Sequence, residues 1–103
     1  MNRLAFLQKI SAGFMYYDGQ NIVDKLEIKD ELKIIQEPEN PYDKRALEIF
    51  TKNNVKLGYV PGDENLIPSR LLRQELRIIG TVDKINLQAD TRRMLRTSLF
   101  VEV

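Results

Sequence analysis

The sequence predicts a mainly β domain of about six strands and one or two short helices, forming a small closed or nearly closed barrel. Short segments in which apolar and polar residues alternate are separated by turn-forming Gly, Pro, Asn and Asp residues. That number of short strands is typical of small barrels. The chain has 103 residues without repeats, linkers or low-complexity tracts, so we expect a single domain over residues 1–103.

The first two predicted strands are defined by alternation. Alternate residues from Ile10 to Tyr16 share one face of the first strand, which ends at an Asp-Gly turn. The first few residues of the chain alternatively form a helical turn. The second strand covers Glu31–Gln36 and directs Leu32 and Ile34 inward.

The next two strands are predicted to form a hairpin. They cover Arg45–Thr51, with Leu47 and Ile49 on one face, and Val55–Val60. Lys52-Asn53-Asn54 supplies the turn between them, because asparagine tolerates positive φ.

A helix is expected between Asp63 and Gln74. Its most secure part starts at Pro68, since proline is favoured at the first helical position. Arg70 and Arg73 are expected to face water. Four apolar residues are expected to pack the helix onto the barrel: Leu66, Ile67, Leu71 and Leu72.

Two further strands complete the predicted barrel. One covers Glu75–Gln88, with Gly80 as its bend, because a barrel needs bends to close. The other covers Met94–Val103.

Composition excludes several classes of function. Cysteine and histidine are absent, which removes disulfides, most zinc sites and the Ser-His and Cys-His nucleophile systems. The apolar stretch at the start is too short for a signal peptide, and no apolar run reaches the length of a membrane span. We therefore expect a cytoplasmic protein without cofactor, metal or membrane association, and not an enzyme.

Charge is unevenly distributed along the chain. The net charge is +1, yet residues 66–103 carry seven basic and four acidic side chains. This excess forms either a solvated face or contacts to phosphate, which the planar arginine side chain suits. Arg92 and Arg93 lie in the polar connection before the last strand and are candidate phosphate partners.

The polar loop Glu37–Lys44 carries the strongest functional signal. Pro38 and Pro41 fix φ and restrict the residues before them, and the Asn-Pro step with the following aspartate favours a turn. The loop therefore holds Tyr42, Asp43 and Lys44 nearly fixed. An aromatic face, an acceptor and a cation stand side by side.

Three motifs carry a family resemblance. NPYDKRA at residues 40–46, KLGYVP at residues 56–61 and FMYYDG at residues 14–19 resemble the HIRAN domain. The resemblance runs from about Ala12 to the C-terminus, and the last third matches in pattern only. It implies a modified OB-like β-barrel that captures single-stranded DNA, preferably at a free 3′ end, in DNA repair or processing.

The resemblance also implies roles for individual residues. Tyr42 would stack on the terminal base and Asp43 would accept a hydrogen bond from the 3′ hydroxyl. A carboxylate repels an internal phosphodiester but accepts from a free hydroxyl. Asp43 alternatively caps its own loop by accepting backbone N–H groups, and both roles are compatible. The further candidate DNA contacts are Tyr16, Tyr17, Lys44 and Tyr59.

Tyr16 and Tyr17 cannot both point inward, because strand side chains alternate, and the resemblance favours Tyr16 for the contact. The sequence departs from DNA-binding members of the family at Met15, which replaces an arginine. That departure keeps a second hypothesis open, a protein-interaction barrel acting with a helicase or nuclease. A third, a metal-dependent nuclease, depends on carboxylates at Glu37, Glu39, Asp43, Asp63 and Glu64.

Overall fold

The computed structural model describes residues 3–12, 26–86 and 95–103. In these segments the chain forms six strands and one helix, which confirms the mainly β prediction. The elements in chain order are β1 (Leu4–Ala12), β2 (Glu31–Gln36), β3 (Leu47–Thr51), β4 (Lys56–Tyr59), α1 (Leu66–Arg73), β5 (Ile78–Ile85) and β6 (Leu95–Glu102).

The six strands form one antiparallel sheet in the order β1-β6-β5-β2-β3-β4. β1 and β4 are its edges. Within the described segments no ladder joins these two edges, so the sheet is not closed, although its arrangement is consistent with an OB-like fold. In the same segments no helix is both apolar enough and long enough to span a membrane.

The core lies on one face of the sheet and follows the alternation of the sequence. Leu32 and Ile34 of β2 and Leu47 and Ile49 of β3 are all buried, as predicted. β1 is a strand from Leu4 onward, so the alternative of an initial helical turn is wrong. The remaining strands contribute these buried apolar residues to the same cluster: Ile10, Ala12, Leu57, Ile78, Val82, Leu95, Leu99 and Val101.

Gly80 allows close packing between strands, and it does not form the bend that was predicted for it. The register shift in β5 lies between Val82 and Lys84. At Gly80 an added Cβ would lie 3.0 Å from Cγ2 of Thr97, tighter than an ordinary contact. A side chain at this position would therefore require the Thr97 side chain to shift by a few tenths of an ångström.

The helix begins later than predicted and turns a different face inward. Pro68 is its third residue, a position that tolerates proline because the first four N–H groups of a helix have no intrahelical partner. Pro68 and Ser69 are buried, whereas Leu66 and Ile67 are exposed, so their predicted packing is wrong. Leu71 and Leu72 do pack against the core, and Arg70 and Arg73 are exposed, as predicted.

Three described residues have positive φ, and the first of them is Lys29, with a φ of 75°. Asn54 has a φ of 68° in the β3–β4 hairpin, at the predicted turn. Glu75 has a φ of 65° after α1, and the N–H of Leu76 bonds to the carbonyl of Leu71 at 3.2 Å. This helix end delays the following strand to Ile78, three residues after the predicted start.

Candidate nucleic-acid interface

The loop between β2 and β3 is held by the side chain of Asn40. Its Oδ1 accepts the backbone N–H groups of Tyr42 at 2.8 Å and of Asp43 at 3.0 Å. Its Nδ2 donates to Oε1 of Glu37 at 2.7 Å. An asparagine in this Asx-turn geometry fixes the backbone of the two residues that follow Pro41.

Tyr42 extends from this fixed backbone into water. Its side chain is 94% exposed, the highest exposure among the large hydrophobic side chains that the structure describes. In this position the tyrosine ring does not contribute to the hydrophobic core. An exposed ring on a fixed backbone is a suitable stacking surface.

Asp43 accepts two hydrogen bonds from the protein. Oδ1 accepts the backbone N–H of Arg45 at 2.8 Å, and Oδ2 accepts Nδ2 of Asn65 at 2.9 Å. The N–H of Arg45 and then the amide of Asn65 hold the pKa of the Asp43 carboxyl below its usual value. Asp43 thus caps its own loop, as one interpretation predicted. Each carboxylate oxygen has a second lone pair and can accept a further donor.

Asn65 was missed by the sequence reasoning. It precedes α1 as the N-cap residue and is only 1% exposed, yet its side chain makes no capping hydrogen bond. Because asparagine is among the preferred N-cap residues, the sequence alone would predict that the Asn65 side chain caps the helix. Its amide instead bonds to Asp43, 22 residues earlier, a pairing that only the fold reveals.

Tyr59 is tied into a polar network beneath the loop. Its hydroxyl donates to Oε2 of Glu37 at 2.8 Å and accepts from Nζ of Lys56 at 3.1 Å. The bond from Tyr59 is the main cause that lowers the pKa of Glu37. Partial burial opposes ionisation of Lys56, but the contacts with Tyr59 and with Glu48 at 3.1 Å raise its pKa overall.

Tyr42, Asp43, Tyr59 and Asn65 line one shallow open pocket, which we call the acceptor pocket. Three of the predicted site residues therefore meet in one place. Lys44 lines a different pocket. Tyr16, Tyr17, Arg92 and Arg93 lie outside the described residues, and their roles remain predictions.

The carboxylates of the third hypothesis do not form a ligand set. Across residues 3–12, 26–86 and 95–103, no group of three or more acidic side chains is placed to hold a metal ion. The Glu37 and Asp43 carboxylates are bonded to protein donors.

Comparison with known proteins identifies the class to which this fold and site belong. The family model of the HIRAN domain matches residues 8–102. The chain therefore belongs to the HIRAN domain family, as the three motifs predicted.

Solved structures give the same fold. A protein from Lactobacillus plantarum is similar with a TM-score of 0.89 and 23% identity, over 99% of this chain and 98% of that one. The crystal structure of the HIRAN domain of human HLTF is similar with a TM-score of 0.74 and 18% identity, over 98% of this chain and 78% of that one. The NMR structure of the HLTF HIRAN domain is similar with a TM-score of 0.61 and 14% identity, over 96% of this chain and 80% of that one. No curated protein matches the sequence.

Proposed function

We propose that this protein is a binding module, and not an enzyme, that captures single-stranded DNA at a free 3′ end. The observation that carries the proposal is the fixed Asp43 carboxylate beside the exposed ring of Tyr42. Membership of the HIRAN family supports it, because the resemblance implies DNA capture. The role belongs to DNA repair or processing in the cytoplasm.

The mechanism combines stacking with recognition of a hydroxyl. The terminal base stacks on Tyr42, and Tyr59 lines the same pocket. The 3′ hydroxyl donates to the remaining lone pairs of Asp43, which is ionised because its pKa lies below the usual value. A 3′ phosphate offers no donor of this kind and is repelled by the carboxylate, so the pocket selects an end.

The other predicted contacts complete the interface. Tyr16 and Tyr17 supply a further ring, and Lys44, Arg92 and Arg93 meet phosphates. Few phosphates are neutralised, so the affinity is weak to moderate and its salt dependence shallow.

A second function rests on the same exposed ring. Tyrosine and arginine are the residues that dominate protein–protein hot spots, so Tyr42 also suits a helicase or nuclease partner. This function predicts no binding to any oligonucleotide and loss of the protein partner in Tyr42→Ala.

The test is fluorescence anisotropy with a short 5′-labelled single strand that ends in either a 3′ hydroxyl or a 3′ phosphate. We expect tighter binding to the hydroxyl, by about tenfold for one hydrogen bond to a charged group. Asp43→Ala should remove this preference.

Glu39→Ala is the matched control, because it removes an exposed acid from the same loop without changing the acceptor pocket. Equal affinity of the wild-type protein for both ends, or an unchanged preference in Asp43→Ala, would contradict the proposal.

A further inference from the structure

A second pocket adjoins the acceptor pocket. Its wall includes Gln36, Lys44, Arg45, Ser69 and Arg73, and we call it the cationic pocket. Among the described residues that line it there is no acidic side chain. Ala46 lines both pockets, so they are direct neighbours.

Three separate elements bring the cationic pocket together. Lys44 and Arg45 come from the turn before β3, and Gln36 comes from the end of β2. Arg73 comes from the last turn of α1, one turn after the buried Ser69. Residues four apart share a helix face, so the buried position of Ser69 directs Arg73 towards the same wall.

Among the described residues the cations of this pocket are only partly neutralised: the charge of Arg45 acts on the Asp43 carboxylate and helps to lower its pKa. None of Lys44, Arg45 and Arg73 forms an ion pair with any residue in the three described segments. Arg77, by contrast, lies near both Glu31 and Glu102. Like charges that share one concave wall repel each other, and an anion bound there relieves the repulsion.

The floor of the pocket adds an unsatisfied donor. Nε2 of Gln36 is buried and has no hydrogen-bond partner among the described residues. Leaving a buried donor without a partner is costly. An oxygen bound in the pocket within reach of this amide would supply the missing acceptor.

We propose that the cationic pocket binds a phosphodiester of the same single strand whose 3′ end lies in the acceptor pocket. This inference rests on the proposed function. The Asp43 carboxylate then accepts from the terminal hydroxyl in the acceptor pocket, and Lys44, Arg45 and Arg73 bind a phosphate in the neighbouring cationic pocket. The pair of pockets sets the direction in which the strand leaves its end.

The experiment compares salt dependence in three variants of one helix. Arg73→Ala removes the charge from the cationic pocket, Arg73→Lys keeps it, and Arg70→Ala removes an exposed arginine of α1 that does not line the pocket. For a single strand we expect the slope of log K against log salt to fall by about 0.7 in Arg73→Ala. Arg70→Ala and Arg73→Lys should keep the wild-type slope. The ratio of affinities for 3′ hydroxyl and 3′ phosphate should stay unchanged in Arg73→Ala.

The phosphate itself is located with strands in which one linkage near the 3′ end is a neutral methylphosphonate. One such linkage should weaken binding of the wild-type protein and have no effect on Arg73→Ala. Equal slopes in Arg73→Ala and Arg70→Ala, or no linkage with this pattern, would overturn the inference while leaving the end preference intact.

Failure of the proposed function has a different signature, since the wild-type protein would then bind both ends equally or bind no strand. In that case inorganic phosphate is titrated into ¹⁵N-labelled protein. Shifts of the amide signals of residues 44, 45 and 73 that disappear in Arg73→Ala would keep an anion site at this place. Absence of these shifts would overturn it as well.

Discussion

Among the described residues, two aromatic rings are largely exposed, and they differ in what surrounds the ring. Phe6 of edge strand β1 is 57% exposed and packs edge-to-face against Phe100, with ring centroids 5.8 Å apart. Tyr42 is 94% exposed, on a backbone held by Asn40 and beside a carboxylate with accepting capacity. Exposure alone therefore does not mark a site. The loop differs because fixed polar groups stand within reach of the same ligand.

The largest expected effect separates the two aromatic rings directly. Tyr42→Ala should weaken binding of the single strand by about 5- to 150-fold, since stacking of one base contributes roughly 1–3 kcal/mol. Its thermal midpoint should not fall, because the ring has no packing to lose. Phe6→Ala should lower the midpoint and leave the affinity unchanged. Anisotropy and thermal unfolding of both variants check this, and a loss of affinity in Phe6→Ala would remove the distinction.

Asn40→Ala tests what holds the loop. The change removes two bonds to backbone N–H groups and one to Glu37, so the free energy of unfolding should fall by about 1–2 kcal/mol. Affinity should fall with it, since Tyr42 and Asp43 lose their fixed backbone. Urea unfolding measures the first effect. Asn53→Ala, in the β3–β4 turn, is the control that should change neither quantity.

Tyr59→Phe should have a smaller effect, confined to stability. It keeps the ring in the acceptor pocket but removes the hydroxyl between Glu37 and Lys56, at a cost of about 0.5–1.5 kcal/mol. The pKa of Glu37 should rise towards its usual value, because the hydroxyl is the main cause that lowers it. Carboxyl NMR titration and urea unfolding measure these changes. An affinity loss as large as that of Tyr42→Ala would mean that the hydroxyl itself contacts DNA.

The smallest expected effect is on pH dependence. Since the folded-state pKa of Asp43 lies below 3.8, its carboxylate stabilises the fold above that pH, and this contribution disappears as the pH falls through the folded-state value. Asn65→Ala removes one of the two hydrogen-bond donors to Asp43, so the pKa of Asp43 should rise. The part of the stability difference between pH 6 and pH 2 that Asp43 contributes should therefore become smaller. ¹³C NMR titration of the Asp43 carboxyl decides it. An unchanged pKa would show that the N–H of Arg45 acts alone.

The local sequence pattern was sufficient to predict most of the strands of the sheet, but it was not sufficient to predict the whole candidate site. The alternation in β2 gave its bounds and its buried residues, because a strand with one buried face has period two. The inward face of α1 was predicted wrongly at Leu66 and Ile67, since the orientation of a short helix depends on the sheet beneath it.

The same distinction applies to the candidate site residues. Tyr42 and Asp43 were identifiable because their loop is built locally, by prolines and an asparagine. Asn65 and Arg73 were not identifiable as site residues, since their partners are distant in sequence and only the packing of α1 brings them near. Sequence pattern therefore does not predict the residues of each pocket that come from distant parts of the chain.

The bond between Asp43 and Asn65 has a consequence for protein engineering. A designer who transplants residues 37–46 into another scaffold copies the Asx turn and the exposed ring, but leaves behind the donor that orients the carboxylate. Under the proposed function, the graft would carry the motif without the selectivity for a 3′ end that we propose for it. A transferable version needs the first turn of a helix placed against the loop, with an asparagine that bonds across to the aspartate.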